Sequence, residues 1–86
     1  MHMKRNVVEA VGYEIKADSD QAGKWVWIAP TDGCHASFDT EHDAIEDAWK
    51  DAVEQTMVIK GISEAAWSQM NIDHQEAAIH TALTAD

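Results

Sequence analysis

Apolar and polar residues alternate along the first half of the chain and recur at helical spacing along the second. Val11, Tyr13, Ile15 and Ala17 fall on one side of an alternating run, with Gly12, Glu14 and Lys16 on the other. Period two predicts a strand over 11–17 with one buried face. The polar stretch Asp18 to Gly23 then suits a hairpin loop. Lys24 to Ala29 is rich in aromatic and β-branched residues and predicts a second strand. Pro30-Thr31-Asp32-Gly33 predicts a tight turn, and Cys34 to Phe38 a third strand with Cys34, Ala36 and Phe38 on one face. Connections this short favour an antiparallel meander.

The period changes after Asp39. Thr40 is a good N-cap, and Glu41 and Asp43 suit the positive end of a helix dipole. Ala44, Ile45, Ala48, Trp49, Ala52, Val53 and Met57 form a stripe at helical spacing. Gly61 fits a left-handed stop, with Lys60 in the last turn. Ser63 predicts the cap of a short helix through Met70, with Ile62 and Trp67 placed as a hydrophobic staple. Asp73 and Glu76 have capping-box spacing, and Ala78, Ile79, Ala82 and Leu83 supply the stripe of a last helix. The expectation is a single α+β domain over 1–86. A three-stranded antiparallel sheet is packed by one long helix and followed by two short ones, and residues 1–6 are flexible.

Composition narrows the class. The apolar share of 45% in 86 residues supports one modest core, to which four Trp contribute large packing area. The single cysteine, Cys34, excludes an internal disulfide and fits a reducing cytoplasm. The N-terminus lacks the apolar region of a secretory signal, and no apolar run is long enough to span a bilayer. Sixteen Asp and Glu against six Lys and Arg give a formal net charge of −10. That balance opposes binding to nucleic acid or anionic lipid and favours a basic protein partner.

Two features are candidates for recognition. Between Asp39 and Glu54 stand seven carboxylates and one lysine. Asp43–Asp47 and Asp47–Asp51 are like-charged i,i+4 neighbours, each pair costing a few tenths of a kcal/mol in a helix. Glu41, Asp43, Glu46, Asp47, Asp51 and Glu54 would therefore form an exposed acidic face meeting a basic surface, or else simply a solvated helix face. In the second strand, Trp25-Val26-Trp27-Ile28 is apolar on both sides. Either Trp25/Trp27 or Val26/Ile28 must point away from the helices, as a contact site or beneath a terminal segment.

Catalytic and metal chemistry find no constellation. Cys34 and the adjacent His35 would point to opposite faces of a strand, and His42 with Glu46 is only a pair. No phosphate loop or nucleophile elbow is present, and no enzyme activity, cofactor or metal is expected.

The run Lys24-Trp25-Val26-Trp27, Pro30-Thr31-Asp32-Gly33, Ser37-Phe38-Asp39-Thr40 and Ala44-Ile45-Glu46-Asp47-Ala48 covers about half the chain. It resembles a pattern in small acidic proteins of bacteriophages and mobile elements, in which a strand-turn-strand opens an acidic helix. Antitoxin and double-stranded-RNA-binding domains share the sheet-then-helix layout, but this chain has no basic patch for RNA. The phage-type resemblance implies a stoichiometric inhibitor of host machinery, anti-CRISPR proteins included. The expected function is thus a non-enzymatic protein-binding inhibitor whose acidic helix face engages a basic, nucleic-acid-binding surface of a bacterial or CRISPR-type partner. Trp25 or Trp27 would be its apolar anchor. The alternative is a module that homodimerises through the outer face of its sheet.

Overall fold

Helix α1, Met3–Ala10, begins within the segment 1–6 that was expected to be flexible. The computed structural model describes residues 3–30 and 37–84. Helix α1 forms because Val7, Val8 and Val11 share a face at helical spacing, and Val8 is fully buried. Their β-branching disguises this stripe, since valines favour strands when local propensity alone decides. Gly12, expected on the outer face of a strand, instead ends the helix at φ 104°. Its amide donates to Glu9 and that of Tyr13 to Val8, the paired bonds of a Schellman stop. A Cβ at Gly12 would lie 3.0 Å from Cβ of Pro30, so the same glycine lets the two segments close on each other.

Strand β1, Glu14–Ala17, is accordingly shorter than the expected 11–17, although Val11, Tyr13 and Ile15 are all buried as the alternation requires. Ala17 is exposed. It pairs antiparallel with β2, Trp25–Ile28, in the register Ile15 opposite Trp27 and Ala17 opposite Trp25. Between them, Asp18 accepts the amide of Asp20 and closes the loop. The described sheet has two strands. Phe38 continues it by one isolated bridge, exchanging both backbone bonds with Trp25 at 2.7 and 2.8 Å. The remainder of the expected third strand, Cys34 to Ala36, and the turn after Pro30 lie outside the described residues.

Helix α2, Glu41–Lys60, has the expected ends. Thr40 accepts the Asp43 amide at 3.0 Å, and Gly61 closes the helix at φ 67°. Ala44, Ile45, Ala48, Trp49, Ala52 and Thr56 form its buried face. Thr56 takes the place that the stripe assigned to Val53 and Met57, which are half-buried. Its hydroxyl donates to the Ala52 carbonyl at 2.8 Å, so this buried hydroxyl is paired.

Helix α3, Glu64–Gln69, is capped by Ser63 as expected. Helix α4, Ile72–Thr84, is capped two residues earlier than the Asp73–Glu76 spacing implied. Asn71 accepts the His74 amide at 2.9 Å. Gln75 reaches back to the carbonyls of Trp67 and Met70, tying the end of α3 to the start of α4. The hairpin, α1 and α4 all pack against α2, and α1 also touches α4. Ile79 on α4 is fully buried, whereas Ile72 on the same helix remains 45% exposed.

Shortening Ile79 to Ala should cost about 2–4 kcal/mol through lost burial and a cavity, while Ile72→Ala should cost under about 1 kcal/mol. Urea denaturation of the two variants gives the comparison. Equal losses would contradict the assignment of α4's buried face.

Candidate functional site

The six acidic positions predicted for partner binding sit on α2 but do not form one uniform solvent-facing ridge. Helix α1 lays two cations against them. Both oxygens of Glu46 accept from Lys4 Nζ, at 2.9 and 3.2 Å, and Arg5 pairs with Glu41. Lys4 also lies 5.5 Å from the Trp49 ring centroid, within cation–π range. Glu9 first, and Glu41 after it, hold the Arg5 guanidinium above its ordinary pKa. These pairs are partly exposed, so each adds little stability while fixing where α1 lies on α2.

The hairpin makes the second set of contacts. Trp27 Nε1 donates to Asp47 Oδ2 at 2.9 Å, and the Tyr13 hydroxyl donates to Asp51 Oδ2 at 2.6 Å. The two rings pack against each other with centroids 5.6 Å apart. Asp47 and Asp51 lie one turn apart, so their carboxylates meet the polar tips of two neighbouring core aromatics. This explains the like-charged Asp43–Asp47–Asp51 series in physical terms. A neutral donor held against each of two members offsets the repulsion that the bare sequence displays.

Asp43 and Glu54 remain exposed, and neither side chain has a hydrogen bond or ion pair among the described residues. The expected partner-binding set therefore divides. Asp43 and Glu54 are free; Glu41 and Glu46 are shared with α1; Asp47 and Asp51 are tied to the hairpin.

The two tryptophans predicted as anchors are not on an outer face. Trp27 is 2% exposed within the core, and Trp25 packs against the same core. Alternation assigns Val26 and Ile28 to the opposite face, and Val26 too is buried. An anchor must be able to leave water for a partner, and Trp27 has already done so within its own chain. This correction also takes the tryptophans away from the homodimer alternative.

Apolar surface beside the carboxylates is supplied instead by residues taken for core or left unassigned. An open groove of about 710 Å³ runs from Phe38 across α2 to Trp67. Trp49 and Val53 line its floor, and Asp39, Asp43 and Glu46 stand along it. A second hollow of about 550 Å³ shares Lys50, Val53 and Trp67 with the first and extends to Met57, Glu54 and Glu64. The two make one channel along α2 between the 37–39 segment and α3. Half-burial of Val53 and Met57 is the signal that locates it, and periodicity alone could not separate half-buried from buried positions on this stripe.

The near wall is braced by ions. Lys24 pairs with Asp39, and Ser37 Oγ donates to Asp18 Oδ2 at 2.7 Å. The Lys24 contact holds the Asp39 carboxyl below the usual aspartate range, and the Ser37 hydroxyl followed by the Asp20 amide does the same for Asp18. Among the described residues no group of three or more His, Cys, Asp or Glu could hold a metal ion, and no helix is long and apolar enough to cross a membrane. Cys34 and His35 lie outside the described residues. No protein-family model matches the chain, and no curated protein or solved structure matches it either.

Two outcomes follow from these contacts. A double-mutant cycle with Tyr13→Phe and Asp51→Ala should show a coupling energy of about 1–2 kcal/mol in denaturant unfolding, since the acceptor is charged. Additive losses would mean that the bond does not hold the hairpin to α2. Asp39 and Asp18 titrate lower folded than unfolded. Their contribution is therefore fully present above the unfolded value and is lost as pH falls through the folded one. Asp39→Asn should accordingly flatten the fall in melting temperature below about pH 4, and an unchanged acid limb would count against the Lys24 brace.

Proposed function

We propose that this chain is a non-enzymatic protein-binding module, an inhibitor or regulator that engages a basic surface through the exposed side of α2. The observation carrying this reading is the pair of exposed carboxylates, Asp43 and Glu54, that have no ion pair among the described residues and stand beside apolar groove surface on one helix. Charge of this kind draws a cationic partner in and orients it, while the apolar floor supplies the part of binding that salt does not screen. Asp47 strengthens the local negative field even though it has an internal partner, because a hydrogen bond from a neutral indole leaves the carboxylate's charge in place, whereas Lys4 offsets the charge of Glu46. The acidic face is smaller than the sequence implied, but it is joined to a groove.

A basic surface built to meet nucleic-acid phosphates is the natural complement of such a face. A chain that covers it acts as an inhibitor by occupying the nucleic acid's place. The resemblance to small phage-type proteins supports a bacterial partner, CRISPR-type machinery among the possibilities.

The test uses substitutions that spare the internal contacts. Asp43→Lys with Glu54→Lys touches neither the α1 ion pairs nor the hairpin donors and gives up only the dipole contribution of Asp43 in the first turn, about 0.3–1 kcal/mol. Its far-ultraviolet circular dichroism should therefore match that of the unsubstituted chain, and its melting temperature should fall only slightly. The immobilised chain should retain basic proteins from a bacterial lysate, lose them in the double variant, and release them when DNA is added. Retention unaffected by the charge reversal would overturn the acidic-face reading. Retention that is sensitive to the reversal but not to DNA would overturn the nucleic-acid-mimicking part alone.

A further inference from the structure

We infer that the channel along α2 is a seat for a cationic amphipathic helix of a partner protein, a proposal that rests on the acidic-face reading above and names its ligand. Trp49, Val53 and Met57 are spaced four residues apart along α2; Trp49 is buried and forms the base, and half-buried Val53 and Met57 are the part of this row that a partner can cover. Phe38 and Trp67 line the same groove. Carboxylates stand at both margins, Asp43 and Glu54 on α2 and Glu64 at the start of α3. Apolar floor and acidic margins together call for a ligand with one apolar stripe flanked by Lys or Arg.

Length and shape favour a helix. From Asp43 to Met57 the channel follows α2 for about 21 Å, the length of roughly 14 helical residues. An i, i+4 ridge accepts the matching ridge of a second helix, with anchors on successive turns. The molecule already contains a pairing of this kind. Helix α1 places Val8 in the core while Lys4 and Arg5 reach Glu46 and Glu41. A short cationic amphipathic helix is thus what α2 already binds within the chain. The channel adjoins that contact, sharing Glu46 and Trp49 with it, while its side formed by Asp43, Val53, Glu54 and Met57 has no occupant among the described residues. Lys50 is the opposing charge on this surface and tunes it against indiscriminate capture of cations.

The test uses two fluorescent 14-residue peptides, blocked at both ends and of identical Leu and Lys content. One has its leucines on a single helical face, and the other has them permuted so that no face is apolar. Titrated with the full chain, the amphipathic peptide should bind at least about tenfold tighter than its permuted isomer. Val53→Ser and Met57→Ser should each remove most of that difference, and melting curves establish that each variant is folded. Two half-buried positions are used so that a folding defect in one does not decide the result. Asp43→Lys with Glu54→Lys should weaken both peptides about tenfold or more at low salt. Equal binding of the two peptides, with that charge dependence intact, overturns the helix seat and leaves the acidic-face reading standing. Binding of the amphipathic peptide that ignores Val53 and Met57 overturns the seat as well. Failure of both peptides to bind at low salt overturns the seat and the reading beneath it.

Discussion

Helix α2 can be the centre of this small fold because three alanines on one side of it, Ala44, Ala48 and Ala52, are each fully buried. Small side chains at successive turns let the hairpin, α1 and α4 approach its backbone closely, and large residues then fill the space from the other side of each contact. Trp27 and Ile15 come from the hairpin, Val8 from α1 and Ile79 from α4. A chain of this size has no second layer to compensate for a poor fit, so burial is concentrated on a few bulky side chains facing that stripe. Replacing one of the alanines with a larger residue would push apart elements that have no alternative support.

Burying aromatics with polar tips against such a stripe creates a demand for acceptors, and the edge of α2 meets it. The indole of Trp27 and the hydroxyl of Tyr13 emerge from the core where Asp47 and Asp51 stand one turn apart. Acidic side chains that look redundant in the sequence are thus the polar ends of the core contacts. The same logic runs on the opposite flank, where Lys4 and Arg5 hold α1 in place through Glu46 and Glu41. Packing fixes which elements meet, and these charged contacts fix their register and direction.

Much of this was legible in the residues. The period-two run centred on Ile15, the aromatic second strand and the α2 caps at Thr40 and Gly61 all have local chemistry that points one way, and the structure agrees. What escaped was set by tertiary contact. Three valines in and after a short charged segment do not announce a helix, because α1 is stabilised by burying Val8 against its neighbours and not by intrinsic propensity. Gly12 within an alternating run looked like part of a strand until its approach to Pro30 and its positive φ marked it as a helix stop. The choice between Asn71 and Asp73 as a cap depended on where α3 ended, which the pull of Gln75 on the preceding carbonyls decides. The sequence located the acidic residues of the candidate site, but their division into tied and free groups needed the side chains that approach them from α1 and the hairpin.

That division bears on function more than the total charge does. A carboxylate engaged by Trp27 or Tyr13 keeps its charge but cannot reorient toward a partner without weakening the core contacts, and one paired with Lys4 or Arg5 is already offset and holds α1 in place. Asp43 and Glu54 have no such obligation, and each lies where the α2 surface turns toward half-buried apolar side chains. Selection for stability alone would favour a lysine at one of them, placed to neutralise its neighbours at helical spacing. The one lysine between Asp39 and Glu54 is Lys50, and it stands beside the channel with carboxylates on either side along the helix. Free negative charge kept next to apolar surface is a costly arrangement for a protein that has only to fold. It becomes economical once a cationic, apolar surface is supplied from outside, and this is the strongest structural reason to look for the molecule's purpose along that flank.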